Sequence, residues 1–333
     1  VTGATLVRWL VLSLVLATTL VVSVFVGAAD LSPGEVLAAL SGRGDETTRT
    51  IVLNLRVPRA ALAALVGACL ALSGAVFQAL LRNPLAEPYI LGISGGAAVG
   101  AVTVIVFGLS VRLPWLLPVA AFAGAILAMA VVLRIAIGVG SALDTRVLLL
   151  AGVVVGAFFN AIILLLLNFA DVDTFRAAVF WMMGNLSGAT WRSVSLLAAY
   201  LVPAALVLMA LARPFNLIAV GEDTALYLGA RVGMVKLVAY LTTSFLVAAS
   251  VAVSGVIGFV GLIVPHALRL VWGSDHRMLL PASMMAGASF LMLTDTVART
   301  IAAPAELPTG VVTALVGVPV FVVLLMRSAG STR

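Results

Sequence analysis

Apolar residues run along this chain in blocks of about 20, broken by short polar interruptions, and the blocks show no strand-like alternation. A block of that length crosses the bilayer's hydrocarbon core as a helix, and without dyad alternation a membrane barrel is excluded. The pattern predicts helices at about 8–28, 59–81, 90–109, 114–138, 146–169, 191–212, 234–253, 256–271, 279–299 and 308–327. The expected fold class is an all-α polytopic membrane protein with about ten spans, one transmembrane domain over 1–333 and both termini on one side. "SGVIGFVG" (254–261) reads either as a turn between the seventh and eighth spans or as a glycine-softened kink in one long element. The first block, Trp9 to Val26, is longer than the apolar core of about 7–15 residues in a secretory signal, so a retained span is expected.

The polar interruptions carry the local signals. In the long outer loop 29–58, "LSPGEVLAAL" (31–40) places Pro33 after Ser32 and Glu35 three residues after it, a capping-box pattern that predicts a short surface helix. The "SGRGDETTRT" that follows reads as polar and flexible. "RNPLAEP" (82–88) is a tight loop whose prolines end one helix and delay the next; a plain connector and a functional constriction both fit it. Gly92, Gly96 and Gly100 recur at every fourth position, which lines one helical face and lets another helix approach closely. Segment 213–233 is longer than a connector requires. Asp223 or Thr224 is expected to cap a short helix there and Gly229 to end it. Docking to a partner is the favoured reading, lying flat on lipid headgroups the other.

Composition sharpens this picture. Hydrophobic residues are 63% of the 333, charged residues 10%, and the mean hydropathy is +1.24, against about 45–50% and about 25% in soluble domains. The net charge of +6 comes from basic residues scattered singly, with no basic cluster or aromatic platform for nucleic acid. Eleven basic residues fall on the side of the termini and eight on the other, which puts the termini in the cytoplasm. Cys69 is the sole cysteine, so no intrachain disulfide or thiolate metal cluster forms. His266 and His276 lack metal-site spacing. Lys236 is the only lysine and follows no glycine loop, so a Walker-type ATP site is absent. Asp295 is the one carboxylate well inside an apolar block. Arg299 stands four residues on, as for a helical ion pair, and spans otherwise nearly bare of charge argue against ion-coupled transport. Arg56, Arg59 and Arg299 stand at the outer rim, either snorkelling or receiving a soluble partner's carboxylates. Arg176, near the outer side, reads as an interfacial charge or as a contact for a carboxylated cargo.

Several motifs in order, "RNPLAEPYILGISGGA", "GEDTALYLGARV", "SGVIGFVGLIVPHALRL", "SDHRMLLPASMMAGASFLMLTDTVAR" and "ELPTGVVTALVGVPVFVVLL", resemble the permease subunit of the ABC importers for iron–siderophore, haem and cobalamin. The resemblance runs from about residue 7 to the C-terminus. It implies a homodimer of ten-helix subunits in the bacterial inner membrane, two cytosolic ABC ATPase subunits that hold ATP and Mg, and a periplasmic or lipid-anchored binding protein. No cofactor is expected on this chain. The resemblance further implies ATPase coupling through Gly221, Glu222, Ala225, Leu228 and Gly229, and a cytoplasmic gate including Asn83, Leu85, Thr145 and Arg146, of which Arg146 departs from the serine and threonine of cobalamin-type relatives. It implies docking of the binding protein on Arg56, Arg59 and Arg299. An iron chelate is the expected cargo, with cobalamin as the alternative in the same machinery and an ion-coupled transporter as the runner-up.

Overall fold

The computed structural model describes residues 3–139 and 144–330, and those residues form helices and loops without strands. The apolar helix α1 (Gly3–Phe25) leads into α2 (Pro33–Leu40). There Ser32 accepts from Glu35 N–H while the Glu35 carboxylate accepts from Ser32 N–H at 2.7 Å, the predicted capping box. The next stretch is more ordered than its polar composition suggests. Asp45 caps a short α3 (Glu46–Arg49), which passes through a π-helical turn, Thr50–Arg56, into α4 (Val57–Leu80), so that residues 46–80 form one continuous helix.

A 3-10 turn, Pro88–Leu91, then precedes α5 (Ile93–Val106), α6 (Leu109–Arg112), α7 (Leu116–Val139) and α8 (Thr145–Asn168). Helix α9 (Val172–Met182) begins at an Asp171 cap and has no counterpart among the expected spans. It is 11 residues long and carries Asp173, Thr174 and Arg176 in its first half, so a search for apolar blocks of about 20 residues passes over it. The chain continues through α10 (Trp191–Ala210), α11 (Ala212–Val220), α12 (Glu222–Tyr227), α13 (Val232–Ser254), α14 (Val260–Trp272), α15 (His276–Thr300) and α16 (Thr309–Gly330). Each of the ten predicted blocks thus becomes one helix. Seven are long and apolar enough to cross a bilayer, while α5, α14 and the Thr309–Leu324 stretch of α16 are shorter apolar segments.

α4 is the central post, buried along nearly its whole length and packed against α10, α13, α14 and α15. Glycine sets how closely these helices approach: a methyl group on Gly67 would run into the Gly287 backbone of α15, and one on Gly74 into the Gly261 backbone of α14. With an apolar solvent outside, such small-residue crossings supply the packing that hydrophobic burial supplies in water. Gly96 and Gly100 press in the same way on Gly124 and Ala120 of α7. Gly92 departs from the predicted face. It lies before α5 at φ +76°, turning the chain from the 3-10 turn, and faces α8 rather than α7.

Side-chain contacts define two ends of the bundle. At one, Trp9 and Trp272 meet ring to ring at 4.5 Å, Arg269 donates to Gln78, and Asn216 donates to Asp275. At the other, Arg56 donates to Phe25 O and Trp191 Nε1 donates to Leu53 O. These are the Trp9 end and the Arg56 end below. α1, α8 and α16 turn large apolar side chains outward, among them Leu14, Leu150 and Leu315, the surface that lipid or a second apolar surface covers.

Candidate functional site

The polar loop after α4 is built to lean on the break between α13 and α14. Asn83 Oδ1 accepts from Leu85 N–H at 2.9 Å, an Asx turn that leaves Leu85 exposed and folds Ala86 inward. The chain then rises as an extended Glu87 and the Pro88–Leu91 turn. Opposite it, α13 stops at Gly255 (φ +66°), and α14 starts only after Phe259, which holds φ +70°, a left-handed backbone that a side-chain-bearing residue adopts at a cost. The 254–261 segment is therefore a break between two helices, with its backbone polar groups in need of partners.

Loop 82–92 supplies several of them. Glu87 Oε1 accepts from Phe259 N–H at 2.7 Å. Tyr89 O–H donates to Ile257 O at 2.9 Å and accepts from Ile257 N–H at 3.2 Å. Gln78 Nε2 donates to Gly261 O and Leu262 O, and Arg269 Nη1 donates to Gln78 Oε1 at 2.9 Å. Burial pushes the Glu87 carboxyl above its ordinary range, against the downward pull of the Phe259 N–H. The second half of the expected gate lies at the start of α8, where Asp144 caps the helix by accepting from Arg146 N–H at 2.7 Å. Thr145 is half-buried and Arg146 exposed; the four residues before Asp144 lie outside the described residues.

Segment 213–233 also folds into a defined shape. α11 buries Phe215 and Ile218, and its Asn216 receives both the backbone N–H of His276, at 2.9 Å, and the His276 Nδ1–H, at 2.7 Å. Asn216 also donates to Asp275 at 2.6 Å, and with the Arg277 N–H this holds the Asp275 carboxyl below its ordinary range. α12 follows at Gly221, without the side-chain cap expected from Asp223 or Thr224. It ends as predicted at Gly229: at φ +83° its N–H donates to Leu226 O and the Ala230 N–H to Ala225 O, a Schellman closure. Ala225 is fully buried beneath, whereas Leu226, Tyr227 and Leu228 project outward, Tyr227 at 92% exposure. Glu222 Oε1 pairs with Lys236 Nζ of α13 at 2.6 Å.

The three arginines expected at the outer rim are instead inside. Arg56 spends its guanidinium on the carbonyls of Val24, Phe25 and Ala29, at the end of α1 and the start of the loop beyond it, which also suits the negative end of the helix dipole. Arg59 makes a two-pronged pair with Asp295, with Nε at 3.0 Å from Oδ2 and Nη2 at 3.0 Å from Oδ1, and it reaches Glu306 at 2.8 Å. Arg299 donates to Ser23 O and stands 3.9 Å from Asp295, so the pair expected between Asp295 and Arg299 is secondary to the one with Arg59. All three arginines are less than a tenth exposed. Unmatched guanidinium in an apolar interior is costly. Arg56 and Arg59 find partners within the chain, whereas Arg299 does so through Nη2 and its buried Nε has no hydrogen-bond partner among the described residues.

Arg176 is exposed on α9. Near the end of that helix an open groove of about 560 Å³ is lined by Met182, Met183, Val256, Gly310, Leu315 and Val318, all apolar.

Comparison with known proteins matches this architecture to one group. Residues 14–327 match the FecCD transport family. The chain belongs to that family. The vitamin B12 import system permease BtuC of Klebsiella pneumoniae is 43% identical over 97% of this chain and 95% of its own length, and that of Escherichia coli 42% identical over 97% and 96%. An uncharacterised ABC transporter permease of Bacillus subtilis, YvrB, is 43% identical over 86% of this chain and 81% of its own. Among solved structures, a protein assigned to the metal-chelate type of ABC transporter, in an inward-facing conformation, superposes with a TM-score of 0.83 at 33% identity over 95% of this chain and 97% of its own. PsaBC from Streptococcus pneumoniae shares the fold, with a TM-score of 0.54 at 17% identity over 80% of this chain and 90% of its own.

This FecCD-family chain is thus a multi-pass membrane permease subunit, and most of its fixed polar geometry lies where sequence reasoning placed no site residue. Glu87, Tyr89 and Gln78 bridge elements 168 to 183 residues apart in sequence, and Lys236 ties α13 to the neighbouring α12. The one signal available beforehand was chemical: a single lysine and a lone glutamate beside prolines, in a chain with so few charges, require partners.

Proposed function

We propose that this chain is the membrane subunit of an ATP-driven importer, working as a homodimer in the bacterial inner membrane and moving a bulky metal chelate inward. The observation that carries this is the Leu226–Tyr227–Leu228 knob, presented to the outside by a buried Ala225 and a Schellman turn on a chain whose only lysine is already committed to Glu222. An apolar knob with defined backbone geometry suits a rigid protein partner better than lipid headgroups, because α12 itself carries two acidic residues, Glu222 and Asp223, and no basic one. In this reading the Trp9 end faces the cytoplasm together with both termini. Two ATPase subunits, carrying the ATP and Mg, seat on α12 through Gly221, Glu222, Ala225, Leu228 and Gly229.

Loop 82–92, with Asn83 and Leu85, and the start of α8, with Thr145 and Arg146, close the cytoplasmic mouth. A soluble or lipid-anchored binding protein delivers cargo at the Arg56 end. The groove between α9 and α16 offers cargo apolar contact and almost no charge, which suits a chelate already wrapped in its own ligand; Arg176 stands on the same helix, within reach of an acidic cargo group. The extensive identity to vitamin B12 permeases makes a corrinoid the first cargo, ahead of the iron chelates expected from family membership alone.

The test is reconstitution in liposomes with the ATPase and binding protein encoded alongside the chain, supplied in turn with cyanocobalamin and haem. ATP-dependent accumulation of cyanocobalamin supports the corrinoid reading. Accumulation of haem alone assigns the iron-chelate cargo, and accumulation of neither, with intact ATPase stimulation by the binding protein, removes both.

A further inference from the structure

Two polar joints sit at opposite ends of one helix. At its start, α13 carries Lys236, buried in all but 4% of its surface and 2.6 Å from Glu222 at the first position of α12. An ammonium group so enclosed needs its counter-charge, because a buried cation without one is strongly disfavoured. The pair therefore fixes α12 to α13 more firmly than an exposed salt bridge does. At the other end, α13 runs into the 255–259 break, where Tyr89 holds Ile257 through both its N–H and its carbonyl, and Glu87 holds the N–H of the strained Phe259.

The stretch between the joints is built to stay straight. α13 is 23 residues long without an internal proline, whereas α10, α14, α15 and α16 contain Pro203, Pro265, Pro281 and Pro319, and proline is where helices bend. Its flanks are mostly small or apolar, and Tyr240, whose hydroxyl donates to Met129 O at 3.1 Å, marks the main lateral tie to α7. A stiff helix with polar anchors at its ends and mostly apolar sides can shift along its neighbours with few hydrogen bonds to break along its length, the Tyr240–Met129 contact being the main one.

We propose that α13 is the rod that carries motion of the ATPase-docking segment to the inner closing loop, with Glu222–Lys236 as one joint and the Glu87–Phe259 and Tyr89–Ile257 contacts as the other. Lys236 and Glu87 are then positioning residues: neither touches cargo or nucleotide. Displacement of α12 moves the base of α13, the break at 255–259 follows, and loop 82–92 moves with it because its carboxylate and phenol grip that break. This rests on α12 being the ATPase contact.

The experiment uses the assembled complex with its co-encoded ATPase in nanodiscs. Leu85→Cys in a Cys69→Ser background provides a single reporter on the closing loop, read by its labelling with a membrane-impermeant maleimide, with and without ATP and vanadate. In the parent complex the labelling rate changes on vanadate trapping. In Lys236→Met, and separately in Glu87→Ala, that change shrinks by about tenfold, the size of effect typical along a coupling network, while the ATPase still co-purifies and still hydrolyses ATP. Lys236→Arg, which keeps a cation against Glu222, retains the response. An undiminished labelling change in Lys236→Met overturns the proposal, as does a Lys236→Arg variant that folds, binds the ATPase and stays unresponsive. Loss of ATPase binding in Lys236→Met also overturns it, since Lys236 then belongs to the docking surface. If Lys236→Met does not fold, the Glu87→Ala arm decides by the same criterion. A parent complex that never binds the ATPase defeats the underlying function instead, and the two failures are told apart at the co-purification step.

Discussion

Arg59 and Asp295, 236 residues apart in sequence, form a two-pronged ion pair in which the carboxylate has no exposure at all. Thr309 adds a third donor to the same carboxylate at 3.1 Å, so one buried acid ties α4, α15 and the start of α16 together. A carboxylate so fully matched is a structural tie.

Removing one side of that pair leaves a buried charge unmatched. Asp295→Ala, or Arg59→Ala, is expected to destabilise the folded protein by about 3–5 kcal/mol, whereas the double replacement Arg59→Met with Asp295→Leu is expected to cost much less. Thermal unfolding in detergent, followed by tryptophan fluorescence, measures both. Equal losses for the single and double variants contradict the account of this pair.

Helix crossings at glycine give a second prediction. Gly67→Ala and Gly74→Ala push a methyl group into backbone atoms of Gly287 and Gly261, and backbone cannot swing aside as a side chain does. Each is expected to destabilise by about 1–3 kcal/mol or more, the range for overpacked cores. Gly138→Ala, where nothing stands nearby, is expected to leave stability unchanged. Melting midpoints in one detergent compare the three directly.

Much of this was legible in the chain, for a physical reason: a span must be apolar for about 20 residues, so the bilayer writes helices such as α7 and α13 into hydropathy. Capping is similarly local, which is why Ser32 with Glu35, and Gly229, could be read in advance. Arg56, Arg59 and Arg299 could not. Their position near helix ends is local, but whether a guanidinium meets solvent or an internal partner depends on residues from 27 positions away, for Arg56 and Ala29, to 276, for Arg299 and Ser23. α9 escaped because at 11 residues it is too short to read as a span, and the π-helical turn at 50–56 because the polar stretch before it reads as loop.

Glu87 supplies a pH prediction. Its carboxyl is raised by burial in the folded state, so the folded form binds its proton more tightly than the unfolded chain, whose glutamates titrate near about 4.3. Stability from this group is therefore full below that value and falls as pH rises through the folded-state pKa. Glu87→Gln retains an acceptor for the Phe259 N–H without the buried charge. It is expected to be at least as stable as the parent at neutral pH and to lack this fall. Denaturation midpoints between pH 4 and 8 would contradict the assignment if the two profiles ran parallel.

Asp275 behaves in the opposite sense. Its carboxyl is lowered by the Asn216 side chain and the Arg277 N–H, so its contribution is present above the unfolded value of about 3.9 and is lost as pH falls through the lower folded value. Asn216→Ala should remove that contribution, so the variant is expected to be less stable than the parent at neutral pH and to lose less stability than the parent as pH falls below about 4. A variant whose acid limb superimposes on the parent's would refute it.

The exposed knob separates docking from folding. Tyr227→Asp and Leu228→Asp replace side chains that project from the protein, so the free energy of unfolding is expected to stay within about 0.5 kcal/mol of the parent's, while recovery of the ATPase in a pull-down falls by at least about tenfold, as hot-spot losses do. Retained ATPase recovery would remove α12 as the contact.

The central claim is that this subunit moves cargo only when a separate ATPase drives it. The direct measurement is cyanocobalamin and haem uptake into proteoliposomes containing this chain alone, under an imposed proton or sodium gradient, alongside vesicles holding the full complex with ATP inside or outside as orientation requires. Uptake against a concentration gradient in the complex with ATP, and none by the chain alone under either ion gradient, is the predicted result. Concentration of either compound by the chain alone would contradict it.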